Sequence, residues 1–221
     1  LDRYVCIVVD RSSSMKLDLS TTAAAMGTGD PRFCLPPAPV DSRWAALAAA
    51  IQVFTDTLSS TPQTEYVSLV SYASNYTNCG WTNNASDINQ PLTGDLSLVT
   101  TAVSDISSTV FNGMTEIATG INDGIVALTD PATARPYAVK TMIVMTDGHN
   151  TSTVQPEVAA AAAAAEGIVI HTVTFGNGAN QPHMQAVAAV TGGTHYHASD
   201  AQALEDVFRK LALTVSVTLI D

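Results

Sequence analysis

Charge is scarce in this chain: 13% of its 221 residues are Asp, Glu, Lys or Arg, against a usual share of about 25%. Basic residues are scarcest, with 9 Lys and Arg against 20 Asp and Glu and a net charge of -11. A protein that grips nucleic acid must neutralise phosphates with Lys and Arg, so that class is excluded. Long apolar runs are absent as well. Even the alanine tract Ala159–Ala165 is bounded by Glu157 and Glu166, and falls far short of the roughly 18 apolar residues of a membrane helix. There is no internal repeat. The Gly176-Asn177-Gly178 triplet lacks the third glycine of a Gly-x-Gly-x-x-Gly turn, which argues against a dinucleotide site.

What the chain does have is apolar content. Hydrophobic residues make up 46% and mean hydropathy is +0.19, which rules out a disordered tail. The length is ample for a buried core without staples. Short runs rich in Val and Ile, Tyr4–Val9, Tyr66–Tyr72, Thr141–Met145 and Ile168–Phe175, have the composition of strands buried on both faces of a parallel sheet. Between them lie helix-length segments at Arg43–Leu58, Leu96–Ile106, Glu116–Leu128, Gln155–Ala165, Gln181–Val190 and Ala201–Leu213. Thr115 and Asp200 are placed as N-caps. This alternation predicts one doubly wound α/β domain over residues 1–221, its mainly parallel central sheet flanked by helices. Two stretches interrupt it. Lys16–Ser42 is a Pro- and Gly-bearing insertion without helical period outside Thr21–Met26. Ala73–Gly94 is rich in Asn, Gly and Ser and predicts a hairpin with an antiparallel edge strand.

In an open α/β sheet, ligands bind beyond the carboxyl ends of the strands. The first strand ends in Asp10-Arg11-Ser12-Ser13-Ser14-Met15, and a later one in Thr146-Asp147-Gly148. Carboxylate and hydroxyl oxygens without a soft donor suit a hard cation, Mg²⁺ above all, with Mn²⁺ or Ca²⁺ as alternatives. Asp-x-Ser-x-Ser-Met, then Asn112-Gly113-Met114-Thr115-Glu116-Ile117 leading into a helix, then Thr-Asp-Gly, together resemble the von Willebrand factor A domain over nearly the whole chain. In that family these positions form the metal-ion-dependent adhesion site. The resemblance implies that Ser12, Ser14 and Thr115 bind a divalent cation directly. It also implies that Asp10 and Asp147 hold the cation largely through water, and that a protein partner's Asp or Glu carboxylate completes the shell. Ser13 stands where the commoner family form has Gly, which leaves the ligand set intact.

Metal-dependent protein binding is therefore the expected function, without catalysis, because no His, Glu or Cys in these motifs is placed as a general base. His149 is expected to be a solvated loop residue. The alternatives are an envelope or pilus scaffold whose ion only stabilises loops, and a metal-assisted hydrolase. A phosphoacceptor role for Asp10 would need further acidic neighbours, which Arg11-Ser12-Ser13 does not supply. His195-Tyr196-His197 puts two imidazoles on one strand face without a third ligand, so a surface-facing pair is expected. Cys6 lies in an apolar run and is expected to be a buried, inert thiol, whereas Cys34 and Cys79 lie in polar loops and either pair or stay as two free thiols. A bridge would staple the insertion, with Asp18, Asp30 and Asp41 on its polar face, beside the metal. The final helix, with Leu204, Val207, Phe208 and Leu211 inward, and the loop cysteines look like bacterial domains that include TadE/TadG-like pilus-assembly proteins. That implies an extracytoplasmic location and an anchor in flanking sequence, consistent with a chain that starts at Leu1 and reads as part of a longer protein.

Overall fold

The architecture follows from one property of the strands: neighbouring residues point to opposite faces, and both faces are apolar. In β1 (Arg3–Asp10), Val5, Ile7 and Val9 enter one core, and Tyr4, Cys6 and Val8 the other. The same division holds in β2 (Glu65–Tyr72), β6 (Val139–Thr146) and β7 (Ile168–Phe175). The structure is a computed structural model and describes residues 2–21, 23, 25–135 and 137–216. Of the Thr21–Met26 span, Thr22 and Ala24 lie outside the described residues.

These strands and β8 (His195–Ala198) are mutually parallel where they pair, and β5 (Ser86–Thr93) runs antiparallel at the edge. The order is β5-β2-β1-β6-β7-β8. Pro91 is tolerated in β5 because an edge strand can spare a ladder donor. Three helices cover one face: α1 (Arg43–Ser59), α2 (Leu96–Ser107) and α6 (Ala201–Ser216). Helices α3 (Ile117–Thr129), α4 (Pro156–Ala165) and α5 (Gln181–Val190) cover the other. The expected α/β sandwich and its antiparallel edge are thus present. The short strands β3 (Tyr76–Asn78) and β4 (Trp81–Asn83) form a separate hairpin before that edge.

Inward residues of α6 are as expected, with Leu204, Phe208 and Leu211 buried and Val207 packed against the same core. Asp200 caps this helix by accepting a bond from the Ala203 amide at 2.9 Å. The N-cap expected at Thr115 is not made. Its hydroxyl turns toward the β1 loop, and the Ile117 amide is satisfied by Asn150 Oδ1 at 3.3 Å.

The insertion is a packed unit with its own small core. Leu17, Met26 and Phe33 are buried together, with Tyr76 and Cys79 of the hairpin against them. A Cys34–Cys79 disulfide staples the two segments. Lys16 is buried inside the insertion, where Nζ donates to the Phe33 carbonyl at 2.5 Å and lies over the Phe33 ring. Its ends meet: the Leu19 amide donates to the Asp41 carbonyl and the Arg43 amide to the Leu17 carbonyl. Asp18 and Asp30 both pair with Arg32, so the insertion's polar face carries less free charge than its sequence suggests.

Candidate metal centre

Strands β1 and β6 are neighbours in the sheet, so the aspartates that follow them end at the same edge. Asp10 is fully buried and anchored at both oxygens: Oδ1 accepts from the Ser12 amide and Oδ2 from the Thr146 hydroxyl, each at 2.8 Å. After Ser12 the chain tightens into a single 3-10 turn over Ser13–Lys16. The Met15 amide closes onto the Ser12 carbonyl, and the turn brings the Ser12 and Ser14 hydroxyls to 2.9 Å from each other. Thr115 arrives from the far side of the sheet on a loop fixed at two points. Phe111 stacks edge-on against Trp44 with centroids 4.7 Å apart. Gly113, with φ +89, lets its carbonyl accept from the Ser13 amide in a place where a Cβ would strike the Ser74 carbonyl.

The five residues expected from the sequence come together. Thr115 Oγ1 lies 3.3 Å from Ser12 Oγ, and Ser14 Oγ donates to Asp147 Oδ1 at 2.7 Å. All five are buried, and Ser12, Ser14, Thr115 and Asp147 line a cavity of about 220 Å³ that also meets Ala23, Met114 and His149, with Asp10 beneath it. His149 is exposed, as expected. Lys140 sits near the start of β6, away from Asp10.

Sequence reasoning missed two members of this cluster. Thr146 fixes Asp10, as described. Arg43, the first residue of α1, is nearly buried and binds Asp147 Oδ2 through Nη1 at 2.7 Å, while its Nη2 donates to the carbonyls of Thr21 and Ala23 at 3.1 Å. A cation in the first turn opposes the helix dipole, and that mismatch was the available signal.

The electrostatics are those of a site short of positive charge. Burial pushes the Asp10 carboxyl up, and the negative charge of Asp147 adds to this, against the pull of the Ser12 and Thr146 hydrogen bonds. Burial also raises Asp147, although Arg43 and Ser14 act against it. Asp147 is thus paired with the Arg43 guanidinium while Asp10 is held by neutral donors, beside three converging hydroxyls. Such a donor set fits a hard divalent cation: the oxygens are neutral or acidic, and the deficit is of the right sign. Among the described residues there is no cluster of three or more His, Cys, Asp or Glu. The hydroxyls are therefore what distinguishes this place.

The two other histidine and cysteine expectations resolve differently. His195 and His197 do lie on one face of β8, but they are half-buried, and both reach the Thr174 hydroxyl, at 3.3 and 3.0 Å. They are partly exposed, beside the Thr172–Thr174 stripe of the neighbouring strand β7. Cys6 is free and fully buried, and burial pushes its thiol up to about 12.

A family model, the von Willebrand factor type A domain, matches residues 5–210. The chain belongs to that family. Domains of this kind commonly bind a divalent cation and mediate protein–protein contacts. Among solved structures, the A domain is similar in fold to BatB from Bacteroides thetaiotaomicron, at 18% identity and a TM-score of 0.69, with 97% of this chain and 98% of that one covered. It is also similar to the open conformation of the pilus adhesin SpaC from Lactobacillus rhamnosus GG, at 16% identity and a TM-score of 0.70, covering 97% of this chain and 30% of SpaC. A third neighbour is proximal thread matrix protein 1 from the mussel byssus with a zinc-occupied MIDAS motif, at 16% identity and a TM-score of 0.69, covering 100% of this chain and 50% of that one. No curated protein matches.

Proposed function

We propose that this A domain is a metal-dependent protein-binding module that captures a carboxylate of its partner at a metal-ion-dependent adhesion site. The observation that carries the proposal is the convergence of Ser12, Ser14 and Thr115 hydroxyls on the buried Asp10–Asp147 pair, from three loops that are remote in sequence. In this account Ser12, Ser14 and Thr115 donate oxygen directly, and Asp10 and Asp147 hold the cation through water, with Mg²⁺ the preferred ion. When bound, the cation supplies an electrophilic centre with a position open to an acidic side chain. Asp10 is held still by its two hydrogen bonds, and Thr115 is held by Thr151, whose hydroxyl oxygen accepts from the Thr115 amide at 3.0 Å. With a net charge of -11, the rest of the surface repels acidic partners, so selection for a carboxylate is confined to the site itself.

Binding without turnover is part of the proposal: Asp147, bonded to Ser14, is already engaged as an acceptor by Arg43, which does not give up its proton, and His149 in the same cavity is an exposed loop residue. An extracytoplasmic location is supported by the Cys34–Cys79 disulfide. An anchor in flanking sequence and a role in pilus-type assembly complete the proposal. Selection of peptides from a random library in Mg²⁺ tests it. The enriched peptides should share an Asp or Glu, lose binding on its change to Asn or Gln, and release in chelator. Enriched peptides that bind equally well in chelator would refute it.

A further inference from the structure

Arg43 has a feature that the adhesive role does not require: it joins the proposed metal centre to the insertion. One branch of its guanidinium binds the Asp147 oxygen that Ser14 leaves free, and the other is held by the carbonyls of Thr21 and Ala23. The residue is nearly buried, and its backbone amide is bonded to the Leu17 carbonyl, so it is fixed at both ends to the insertion's base. The insertion is restrained in turn by the Cys34–Cys79 staple and the Leu19–Asp41 backbone bond. Along one line, then, lie hydroxyl ligands, a carboxylate, a guanidinium and an insertion segment.

We propose that Arg43 is a built-in counter-cation of the metal centre, competing with the divalent ion for the charge of Asp147, so that cation binding and the seating of the insertion oppose each other. The physical basis is charge and position. Ser14 Oγ and Arg43 Nη1 each lie 2.7 Å from an oxygen of the same carboxylate. A divalent ion at the hydroxyls therefore faces the guanidinium across one carboxylate, inside a site whose low polarisability leaves like charges poorly screened. Both draw on a single negative charge. Whatever strengthens the guanidinium's hold, including its two bonds to the insertion, weakens the cation's. By linkage, cation binding must loosen the guanidinium and the segment it holds by the same factor.

The proposal rests on the metal-site assignment, and one set of measurements separates the two. Calorimetric titration of Mn²⁺ and Mg²⁺ into chelator-treated wild type, Arg43→Gln and Arg43→Lys is the first. Arg43→Gln removes the charge, and its dissociation constant should fall by about tenfold or more relative to wild type, while the metal-free protein melts lower. Arg43→Lys keeps the charge and should stay within a few fold of wild type. Equal or weaker binding by a folded Arg43→Gln overturns the competition. Absence of saturable binding in all three proteins overturns the metal-site assignment as well. The second measurement needs no variant: amide exchange at Leu19 and Thr21, whose amides donate to Asp41 and Asp18, should quicken on adding Mg²⁺ to the wild type. Unchanged or slower exchange at saturating cation overturns the opposition between ion and insertion.

Discussion

Gly120 decides how closely α3 can approach the sheet, and replacing it by Ala tests whether that approach holds the site together. A Cβ there would lie 2.6 Å from Tyr72 Cδ1 and 2.8 Å from both Tyr72 Cγ and Val8 Cγ1. Tyr72 cannot yield easily, because it is fully buried and its hydroxyl donates to the Met145 carbonyl at 2.9 Å. Overpacking of this kind costs about 1–3 kcal/mol, whereas Gly to Ala in a helix interior returns about 1 kcal/mol of propensity. The net is a loss of up to about 2 kcal/mol, which for a chain of this size lowers Tm by up to about 8 °C. Gly124, one turn on, is the control. Its Cβ would meet the Met142 methyl at 2.7 Å, the end of an unbranched chain that can repack, and Met142 Sδ and Val8 Cγ2 at 3.1 Å, where a shift of a few tenths of an ångström suffices, so Gly124→Ala should cost less than Gly120→Ala. Thermal and urea unfolding of the two variants provide the assay. Because α3 begins two residues after Thr115, Gly120→Ala should also weaken cation binding. A Gly120→Ala protein at least as stable as wild type would refute the reasoning, since propensity alone predicts that result.

Thiol labelling checks the cysteines: the native protein should take up no alkylating label, the reduced native protein should be labelled at Cys34 and Cys79, and Cys6 should react only on unfolding. Burial holds His171 and His195 below their ordinary value, with His197 adding to the effect on His195. The folded state therefore resists taking up these protons, and stability from these groups is complete above about pH 6.5 and lost as the pH falls below it. Raised Asp10 acts in the opposite sense as pH rises from the ordinary carboxylate range, so the comparison is between variants: His195→Asn should lose less stability than wild type between about pH 7.5 and 5.5 in urea titrations.

Much of this fold is legible because β1, β2, β6 and β7 are apolar on both faces, and so announce themselves as Val- and Ile-rich runs. Strand β5 is not legible in that way. Its residues Ser86-Asp87-Ile88-Asn89-Gln90-Pro91-Leu92-Thr93 carry no such run, and its place at the edge is fixed by contacts remote in sequence. Beside the ladder to β2, Arg11 helps, its buried guanidinium donating to the Asn84 carbonyl and to Asp87. The site divides similarly. Asp10, Ser12, Ser14, Thr115 and Asp147 could be named because short motifs place each beside the end of a strand or the start of a helix. Thr146 and Arg43 could not, since a hydroxyl at a strand end is common and the mismatch of Arg43 with the helix dipole says only that it needs a partner, and only the tertiary structure aims them at a carboxylate.

The central claim is that three hydroxyls and two buried carboxylates make a divalent-cation site, and calorimetric titration of Mg²⁺, Mn²⁺ and Ca²⁺ into chelator-treated protein tests it most directly. Ser14 is the residue to vary, because its Oγ links Ser12 to Asp147 at 2.9 and 2.7 Å, and its loss removes a direct donor without adding bulk. The account predicts saturable binding of one ion per chain in the wild type, with affinity falling by about tenfold or more in Ser14→Ala. No saturable heat from any of the three ions, or equal affinity in the folded Ser14→Ala protein, would contradict it.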